Sequence, residues 1–198
     1  IVEPLVDLGR DGEIVGVLAV SWESSADGRI VTFKLRDGVK WHDGKPFTSA
    51  DVQFNALELW KKHQNYGTQV HRNLEAVDTP DPLTAVFRYV APLPLDFLLR
   101  ALCDLGYVVP RHLYEGTNPL ENPANTAPVG TGPYKFVQYE RGRYVSVEAN
   151  PDYWRKDAPL LEKIFWHIIP DKAAAAAALE TGRVHLSTYS TLSLSDLD

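Results

Sequence analysis

The sequence predicts a mixed α/β (α+β) fold, in which antiparallel hairpins alternate with short helices. Two regions, 17–36 and 134–150, alternate apolar and polar residues on both sides of a turn, a pattern typical of half-buried antiparallel strands. Two other regions, 48–63 and 94–102, carry apolar residues at helical spacing. Because both periods occur in one chain, a mixed fold is favoured over an all-helical or all-strand one.

Composition and charge indicate an ordinary globular chain. Apolar residues make up 44% of the 198 residues, charged residues 23%, and the formal net charge is −6. An acidic chain without clusters of Lys and Arg is a poor ligand for nucleic acid or anionic membranes, because both require grouped cations. No apolar run approaches the roughly 18 residues of a membrane span. The chain shows no signal peptide and begins without Met, so we expect a processed or truncated start.

The first hairpin is predicted over residues 17–36. Two alternating segments flank Asp27-Gly28, a dipeptide that favours tight hairpin turns. Since successive strand residues point to opposite faces, the inward residues are expected to be Leu18, Val20 and Trp22 on the first strand, and Val31, Phe33 and Leu35 on the second.

A helix is predicted to begin at Thr48, after two more Asp-Gly turns. Thr48 and Asp51 have the spacing of a capping box, and the Asp51 carboxylate favours the positive end of a helix. The apolar face that follows comprises Val52, Ala56, Leu59, Trp60 and His63.

Between residues 64 and 130 the sequence predicts a strand at 83–90, a helix that begins at Pro94, and a short buried strand at 106–110. Cys103, the only cysteine, is interpreted as a buried small residue and not as a nucleophile. The apolar face of the helix comprises Leu95, Leu98, Leu99 and Leu102.

Two loops are predicted in the same region, one around Gly67 and one at 116–130. The second contains three Pro and three Asn, which disfavour a regular element. We therefore place a domain boundary near residue 120.

The elements after residue 130 have clear turn or cap residues at their ends. Asp171 is expected to cap an alanine-rich helix and Gly182 to end it. In chain order, the predicted elements are a hairpin at 134–150, a strand at 163–169, a helix at 172–181 and a strand at 184–189.

No motif indicates catalysis, a resident metal or a cofactor. The segment VGTGPYK at 129–135 resembles a phosphate-binding loop, but the residues after Pro133 predict a strand, whereas such loops open a helix. No nucleophile elbow occurs, and Asp51 with Glu58 fits a solvated helix face. The six histidines lack zinc-site spacing and are interpreted as surface or edge residues: His42, His63, His71, His112, His167 and His185.

Two tyrosines are candidates for ligand contact. Most of the five Trp and nine Tyr, among them Trp22 and Trp166, are expected in the core. Tyr66, however, lies beside Gly67 in a polar loop, and Tyr189 follows the last predicted strand. Tyr provides ligand contacts at a low cost in conformational entropy, and ordinary packing is the alternative for both residues.

Three segments resemble one family, the bacterial extracellular solute-binding proteins of family 5, which serve ABC importers of dipeptides, oligopeptides and nickel. They are LAVSWESSADGRIVTFKLRDGVKWHDGKPFTSADV at 18–52, PVGTGPYKFVQYERGRYVSVEANPDYW at 128–154 and IIPDKAAAAAALETGRVHLS at 168–187. Their order and spacing are also similar, so the resemblance covers nearly all of the chain. One departure is Val184-His185, where relatives often have an acidic residue.

The resemblance implies a periplasmic-binding-protein type II-like fold, in which two lobes close over a ligand. It implies that residues 1–120 form the extra subdomain of the family and that residues 121–198 form part of lobe I, leading to the hinge crossing. Family members are much longer than this chain, so we expect a fragment that lacks the second lobe. Residues 32–52 are then scaffolding.

The implied function is the substrate-binding component of an ABC importer, which captures di- or oligopeptides and delivers them to a membrane permease without an enzymatic step or a cofactor. We expect a monomer, periplasmic or extracellular and membrane-anchored. Two alternatives stay open: a receptor for a nickel chelate, haem, opine or sugar with the same fold and, more remotely, a hydrolase. The position of each residue in the family pattern implies the ligand-facing residues Tyr66, Gly67, Asp104, Tyr107 and Tyr189.

Overall fold

The computed structural model describes residues 1–187. Within this range, nine strands form three antiparallel sheets, of the orders β1-β2, β3-β4-β6-β5 and β7-β8-β9. The strands are β1 (Val6–Leu8), β2 (Ile14–Gly16), β3 (Ala19–Ser24), β4 (Ile30–Leu35), β5 (Leu74–Asp81), β6 (Thr84–Tyr89), β7 (Tyr134–Glu140), β8 (Tyr144–Ala149) and β9 (Lys163–His167).

The helices of this range are mostly short; four segments lie between β4 and β5, three between β6 and β7, and one follows β9. They are α1 (Ser49–Phe54), a π-helical segment (Asn55–Trp60), α2 (Lys61–His63), α3 (Gly67–Val70), α4 (Leu95–Leu105), α5 (Arg111–Tyr114), a 3₁₀ turn (Pro123–Asn125) and α6 (Lys172–Glu180).

The main core lies against the four-stranded sheet. Phe33 on β4 and Phe87 on β6 are fully buried, and their rings meet edge to face with centroids 5.4 Å apart. Helix α1 packs on β5 and β6, and Trp60, which follows it, is also buried. Burying a large apolar side chain stabilises a fold by roughly 1.5–3 kcal/mol, so these buried rings contribute strongly to the stability of the layer in which Trp60 lies.

The first hairpin is confirmed, with one correction. β3 and β4 pair around Gly28, whose φ of 66° requires the freedom of glycine. However, the register shifts between Ala19 and Ser21. This bulge breaks the alternation, so Leu18 and Ala19 are both buried and Val20 is 51% exposed.

The helix predicted at Thr48 is confirmed, and Thr48 and Asp51 form the capping box. Its continuation differs, because residues 55–60 are π-helical. The wider turn shifts the positions that follow, so the predicted apolar face holds as far as Trp60 while His63 is exposed.

Residues 64–110 contain three differences from the prediction. The loop around Gly67 contains the short helix α3, and residues 106–110 form only an isolated bridge between Tyr107 and Pro4. Strand β5 was not predicted. It contains Pro80, which the sheet tolerates since β5 is an edge strand. Strand β6, helix α4 and the burial of Cys103 are confirmed.

The segment at 116–130 is irregular but well anchored. Asn122 is buried, and its Nδ2 atom donates hydrogen bonds to the Leu113 carbonyl and the Thr117 hydroxyl at 2.8 and 2.9 Å. Whether a domain boundary lies here remains a prediction.

Beyond residue 130, the hairpin β7–β8, strand β9 and helix α6 are confirmed, with Asp171 as the N-cap of α6. Trp166, which we expected in the core, is 44% exposed. Residues 184–187 do not form the predicted strand, and the rest of it lies outside the described residues.

Candidate functional site

Trp60 connects the two segments that carry four of the five predicted ligand-facing residues. Its indole Nε1 donates a hydrogen bond of 3.0 Å to the Tyr107 carbonyl. On the other segment, Gly67 approaches the Trp60 carbonyl so closely that a Cβ atom on it would lie 2.5 Å from that oxygen. Residues 66–67 and 104–107 therefore both lie against Trp60, the first pair at its backbone carbonyl and the second stretch at its indole, and we call this region the Trp60 surface.

A buried histidine, His71, packs against the ring of Trp60 and stabilises the Trp60 surface. His71 stacks on Trp60, with ring centroids 5.8 Å apart, and its Nδ1 atom lies 3.2 Å from the Tyr89 hydroxyl. Its backbone N–H donates to the Gly67 carbonyl at 2.8 Å. Burial lowers the pKa of His71 to about 4, with Lys61 adding to the effect, so the imidazole is neutral at pH 7. Our interpretation of His71 as a surface or edge residue was wrong.

Side chains of the π-helical segment and α1 fix the stretch that follows Tyr107. Asn55, fully buried, accepts a hydrogen bond from the Val109 N–H and donates one to the Val109 carbonyl, at 3.0 and 2.7 Å. Asp51 accepts from the Arg111 N–H at 3.0 Å. This irregular stretch is therefore hydrogen-bonded almost as completely as a strand would be, which fixes the backbone that follows the exposed Tyr107.

The N-terminal residues link the same stretch to the segments that flank the hairpin β7–β8. The Glu3 carbonyl accepts from the Val108 N–H at 3.0 Å, next to the bridge at Tyr107. The buried Glu3 carboxylate accepts hydrogen bonds from Thr131, Tyr153 and Trp154. We call this group the Glu3 node. Arg36 lies over the ring of Trp154, 4.0 Å from its centroid.

A second histidine ties the turn at Asp43-Gly44 to the glycine-rich segment. His42 Nδ1 accepts from the Gly130 N–H at 3.1 Å, and Nε2 lies 2.9 Å from the Gly132 carbonyl. Burial is the main cause that lowers the pKa of His42, and the neutral ring suits one accepting and one donating nitrogen. The segment VGTGPYK is thus a structural crossing, and a strand follows it as predicted.

The exposed side chains of the Trp60 surface are those of Tyr66, Asp104 and Tyr107. Tyr66 is 69% exposed at the start of α3, Tyr107 is 45% exposed, and Asp104 is exposed near the end of α4. Gly67 is buried and contributes close backbone packing. The fifth predicted residue, Tyr189, lies outside the described residues.

Residues 1–187 also bear on two other kinds of site. No group of three or more His, Cys, Asp or Glu side chains is arranged to hold a metal ion in this range. No helix of the same range is long and apolar enough to cross a membrane.

Comparison with known proteins decides the family. Residues 13–197 match the family described as "Bacterial extracellular solute-binding proteins, family 5 Middle". The chain belongs to this family. The resemblance in the three sequence segments is thereby confirmed, and so is the periplasmic-binding-protein type of fold, because solved family 5 structures superpose on nearly the whole chain.

Relatives in family 5 are named for different ligands. The chain is 37% identical over 194 residues to a Brucella ovis protein that carries the provisional name of an ABC transporter peptide-binding protein, and covers 35% of it. NikZ from Campylobacter jejuni in complex with Ni(L-His) superposes with a TM-score of 0.83 at 30% identity. The oligopeptide-binding protein AppA from Bacillus subtilis, in complex with a nonapeptide, gives 0.82 at 28%. Both superpositions cover 93% of this chain, and 36% and 37% of those chains.

The chain therefore spans about a third of the length of the relatives it matches.

Sequence reasoning missed the supports of the site, namely Glu3, Asn55 and His71. Each is a polar residue that becomes buried through partners far away in sequence, such as Glu3 with Thr131, 128 residues apart. The burial of a single polar side chain leaves no apolar periodicity that could be recognised in the local sequence. The sequence gives one hint, which is that Glu3 and Asn55 each lie next to apolar residues.

Proposed function

We propose that the full-length protein is the substrate-binding component of an ABC importer, which captures di- or oligopeptides between two lobes and delivers them to a membrane permease. The observation that carries this proposal is the family 5 match over residues 13–197. The peptide-binding names of the Brucella and Bacillus relatives support the ligand class. Capture requires no chemical step, because lobe closure follows from contacts that the ligand gains only in the closed state.

We also propose that Tyr66, Gly67, Asp104, Tyr107 and Tyr189 belong to the ligand wall on this part of the protein. For the first four, the support is the Trp60 surface, which presents two exposed tyrosines and a carboxylate on a rigid base. Tyrosine rings would contact ligand side chains with little loss of entropy. The Asp104 carboxylate would accept hydrogen bonds from ligand ammonium or amide groups. The proposal for Tyr189 rests on the position of that residue in the family pattern.

The domain arrangement belongs to the same proposal. Residues 1–120 form the extra subdomain, and residues 121–198 form part of lobe I. The Glu3 node supports a fixed connection between them, since residues 1–4 contact both the stretch after Tyr107 and the segment at 130–154. The protein is a monomer that works in the periplasm or, membrane-anchored, outside the cell.

A second candidate ligand is a nickel chelate, with haem, an opine or a sugar in the same class of non-peptide solutes. The observation that favours it is the similarity to NikZ, whose structure contains Ni(L-His). Such a chelate would bring its own metal ligands, so the wall would need to supply only a few aromatic or polar contacts.

Native mass spectrometry of the full-length protein, purified without unfolding, tests the ligand class. A ladder of co-purified peptides would support an oligopeptide receptor, and its mass range would measure the cleft. One non-peptide mass or a nickel isotope pattern would support the chelate class. Turnover of ester, peptide or phosphate substrates that is lost on a single substitution would overturn the binding-protein proposal. Tyr66→Ala and Tyr107→Ala should each lower the affinity for the ligand found, with Val20→Ala as the exposed control on β3.

A further inference from the structure

His42 joins the turn at 41–45 to the segment at 130–135 through both its ring and its backbone. The ring Nδ1 atom accepts a hydrogen bond from the Gly130 N–H at 3.1 Å, and Nε2 lies 2.9 Å from the Gly132 carbonyl. The His42 N–H donates to the Gly130 carbonyl at 2.8 Å, and the His42 carbonyl accepts from Lys135 Nζ at 3.4 Å. His42 and Gly130 are 88 positions apart and lie on opposite sides of the boundary proposed near residue 120. We call this set of bonds the His42 contact.

The His42 contact requires a neutral imidazole. Because a backbone N–H can only donate, the Nδ1 atom that faces Gly130 must be the unprotonated ring nitrogen, and the proton must lie on Nε2, which faces the Gly132 carbonyl. A protonated imidazole has two N–H donors and no acceptor. Its Nδ1–H would then face the Gly130 N–H, with one donor directed at another. Protonation of the ring is therefore incompatible with the bond to Gly130.

The segment at 130–135 has no room to absorb such a change by a small shift. A Cβ atom on either Gly130 or Gly132 would collide with the Ile1 carbonyl, and the Gly132 N–H donates to that carbonyl at 2.8 Å. The backbone is thus packed directly against Ile1. On protonation, either the His42 ring leaves Gly130 or the peptide group before Gly130 turns over. In both cases the Gly130 N–H loses its acceptor.

The surroundings of His42 favour the neutral ring at neutral pH. Burial is the main cause that lowers the pKa of His42 below its ordinary value of 6.5, and Lys135 and the amino group of Ile1 add to the effect. The Gly132 carbonyl and Asp43 act in the opposite direction. Since the pKa is lower in the folded than in the unfolded chain, the His42 contact contributes fully above pH 6.5 and is lost as the pH falls through the lowered pKa.

A second histidine at the same turn has the opposite preference. His112 on α5 places its Nε2 atom 2.6 Å from the Asp43 carboxylate, and both side chains are largely shielded from water. A carboxylate accepts the Nε2–H whether the ring is neutral or charged, and the hydrogen bond is stronger when the ring is charged. The bond between Asp43 and His112 therefore persists on acidification, whereas the bond between His42 and Gly130 does not.

We propose that His42 is a pH-sensitive latch between the turn at 41–45 and the segment at 130–135. Acidification protonates the ring, the Gly130 N–H loses its acceptor, and the attachment between the two segments loosens. The pair of Asp43 and His112 keeps the turn on α5, so the change is confined to the contact with residues 130–135. This inference is independent of the ligand and of the transport function.

Amide hydrogen exchange tests the latch in the full-length protein. Exchange is followed by NMR from neutral pH down to the onset of acid unfolding, and each rate is divided by the intrinsic rate at that pH. The protection of the Gly130 N–H should fall by at least about tenfold, as expected for the loss of one hydrogen bond. The Gly132 N–H donates to the Ile1 carbonyl and not to His42, so its protection should change by less than about twofold.

Two matched variants assign the effect to one ring. His42→Asn keeps an acceptor oxygen near the Nδ1 position and takes up no proton, so Gly130 protection should become independent of pH. His112→Asn, at the neighbouring histidine, should leave the fall at Gly130 as it is in the wild type. The proposal would be overturned by constant Gly130 protection in the wild type, by the same fall in His42→Asn, or by an equal loss at Gly132, which would indicate opening of the whole segment.

A second measurement needs no substitution and serves if His42→Asn does not fold. The full-length wild-type protein is labelled with ¹⁵N in its histidines, and the ring nitrogens of His42 are followed by NMR over the same pH range. The ring should carry its proton on Nε2 at neutral pH, and its titration should share a midpoint with the loss of Gly130 protection. A ring that takes up a proton while Gly130 stays protected, or that stays neutral while Gly130 loses protection, would refute the latch.

Discussion

Removing the Glu3 carboxylate should strongly destabilise the protein. Its oxygens accept from the Tyr153 hydroxyl at 2.6 Å, the Thr131 hydroxyl at 2.9 Å and the Trp154 indole N–H at 3.2 and 3.3 Å. Glu3 is 6% exposed, so little water can replace it. Glu3→Ala leaves three donors without their acceptor in a largely buried place.

The magnitude follows from those three donors. A donor left unsatisfied by removal of its buried partner costs about 1–3 kcal/mol, and Thr131 and Tyr153 can reorient their hydroxyls whereas the Trp154 N–H cannot. We therefore expect Glu3→Ala to lower the free energy of unfolding by about 3–5 kcal/mol. Glu3→Gln keeps the shape and one carbonyl oxygen, so about 1–2 kcal/mol is expected for it.

Urea unfolding of the full-length protein, followed by circular dichroism, measures these values. Glu58→Gln is the matched control, because Glu58 pairs with Lys62 on an exposed helix surface and should change stability by less than about 0.5 kcal/mol. A double-mutant cycle with Tyr153→Phe should show coupling of at least about 1 kcal/mol. If Glu3→Ala and Glu58→Gln were equally mild, the node would not stabilise the fold and this reasoning would be wrong.

Three further substitutions or conditions test other parts of the structure. His71 is neutral in the fold because burial lowers its pKa from 6.5 to about 4. The unfolded chain takes up a proton below pH 6.5, so the free energy of unfolding should fall by up to about 3 kcal/mol between pH 6.5 and pH 4. His71→Phe should flatten that part of the pH profile of urea unfolding, whereas an unchanged slope would assign the pH dependence to other groups. Gly67→Ala places a Cβ atom 2.5 Å from the Trp60 carbonyl oxygen and should lower the free energy of unfolding by about 1–3 kcal/mol. Thermal unfolding compares this variant with the adjacent change Thr68→Ala, and equal effects of the two changes would contradict the prediction. Thr48→Ala removes one side of the capping box and should lower the free energy of unfolding by about 1 kcal/mol. Asp51→Ala should lower it further, because Asp51 also accepts a hydrogen bond from the Arg111 N–H. An unchanged urea midpoint for both variants would mean that the cap does not stabilise α1.

Local chemistry explains which elements could be predicted from the sequence. The hairpins β3–β4 and β7–β8 combine alternating apolar and polar residues over most of their length with a glycine turn, at Gly28 and Gly142, where φ is positive. Helix α6 has a side-chain cap at Asp171. In these cases the information that determines the structure lies within about ten residues of chain, which is the range over which periodicity and caps can be recognised.

The features that were missed depend on contacts between distant segments. The bulge at Val20 and the edge position of β5 are decided by neighbouring strands, and Pro80 is acceptable only because of that edge. In the candidate site, the exposed residues Tyr66 and Tyr107 could be proposed from family position, but their common support on Trp60 could not. That support joins residues 47 positions apart, which no local pattern encodes.

The π-helical turn at Asn55–Trp60 affects how this region can change during evolution. It accommodates more residues per turn than an α-helix, and Trp60 reaches the Tyr107 carbonyl from its end. Deleting one residue within it would give ordinary α-helical winding, in which five residues turn by about 500°, nearly the same angle as six residues of the wider turn. The indole would keep its direction toward the carbonyl. Descendants of this sequence can therefore lose one codon between Asn55 and Trp60 at little structural cost, whereas a one-residue deletion inside α4 would rotate its buried face by about 100°.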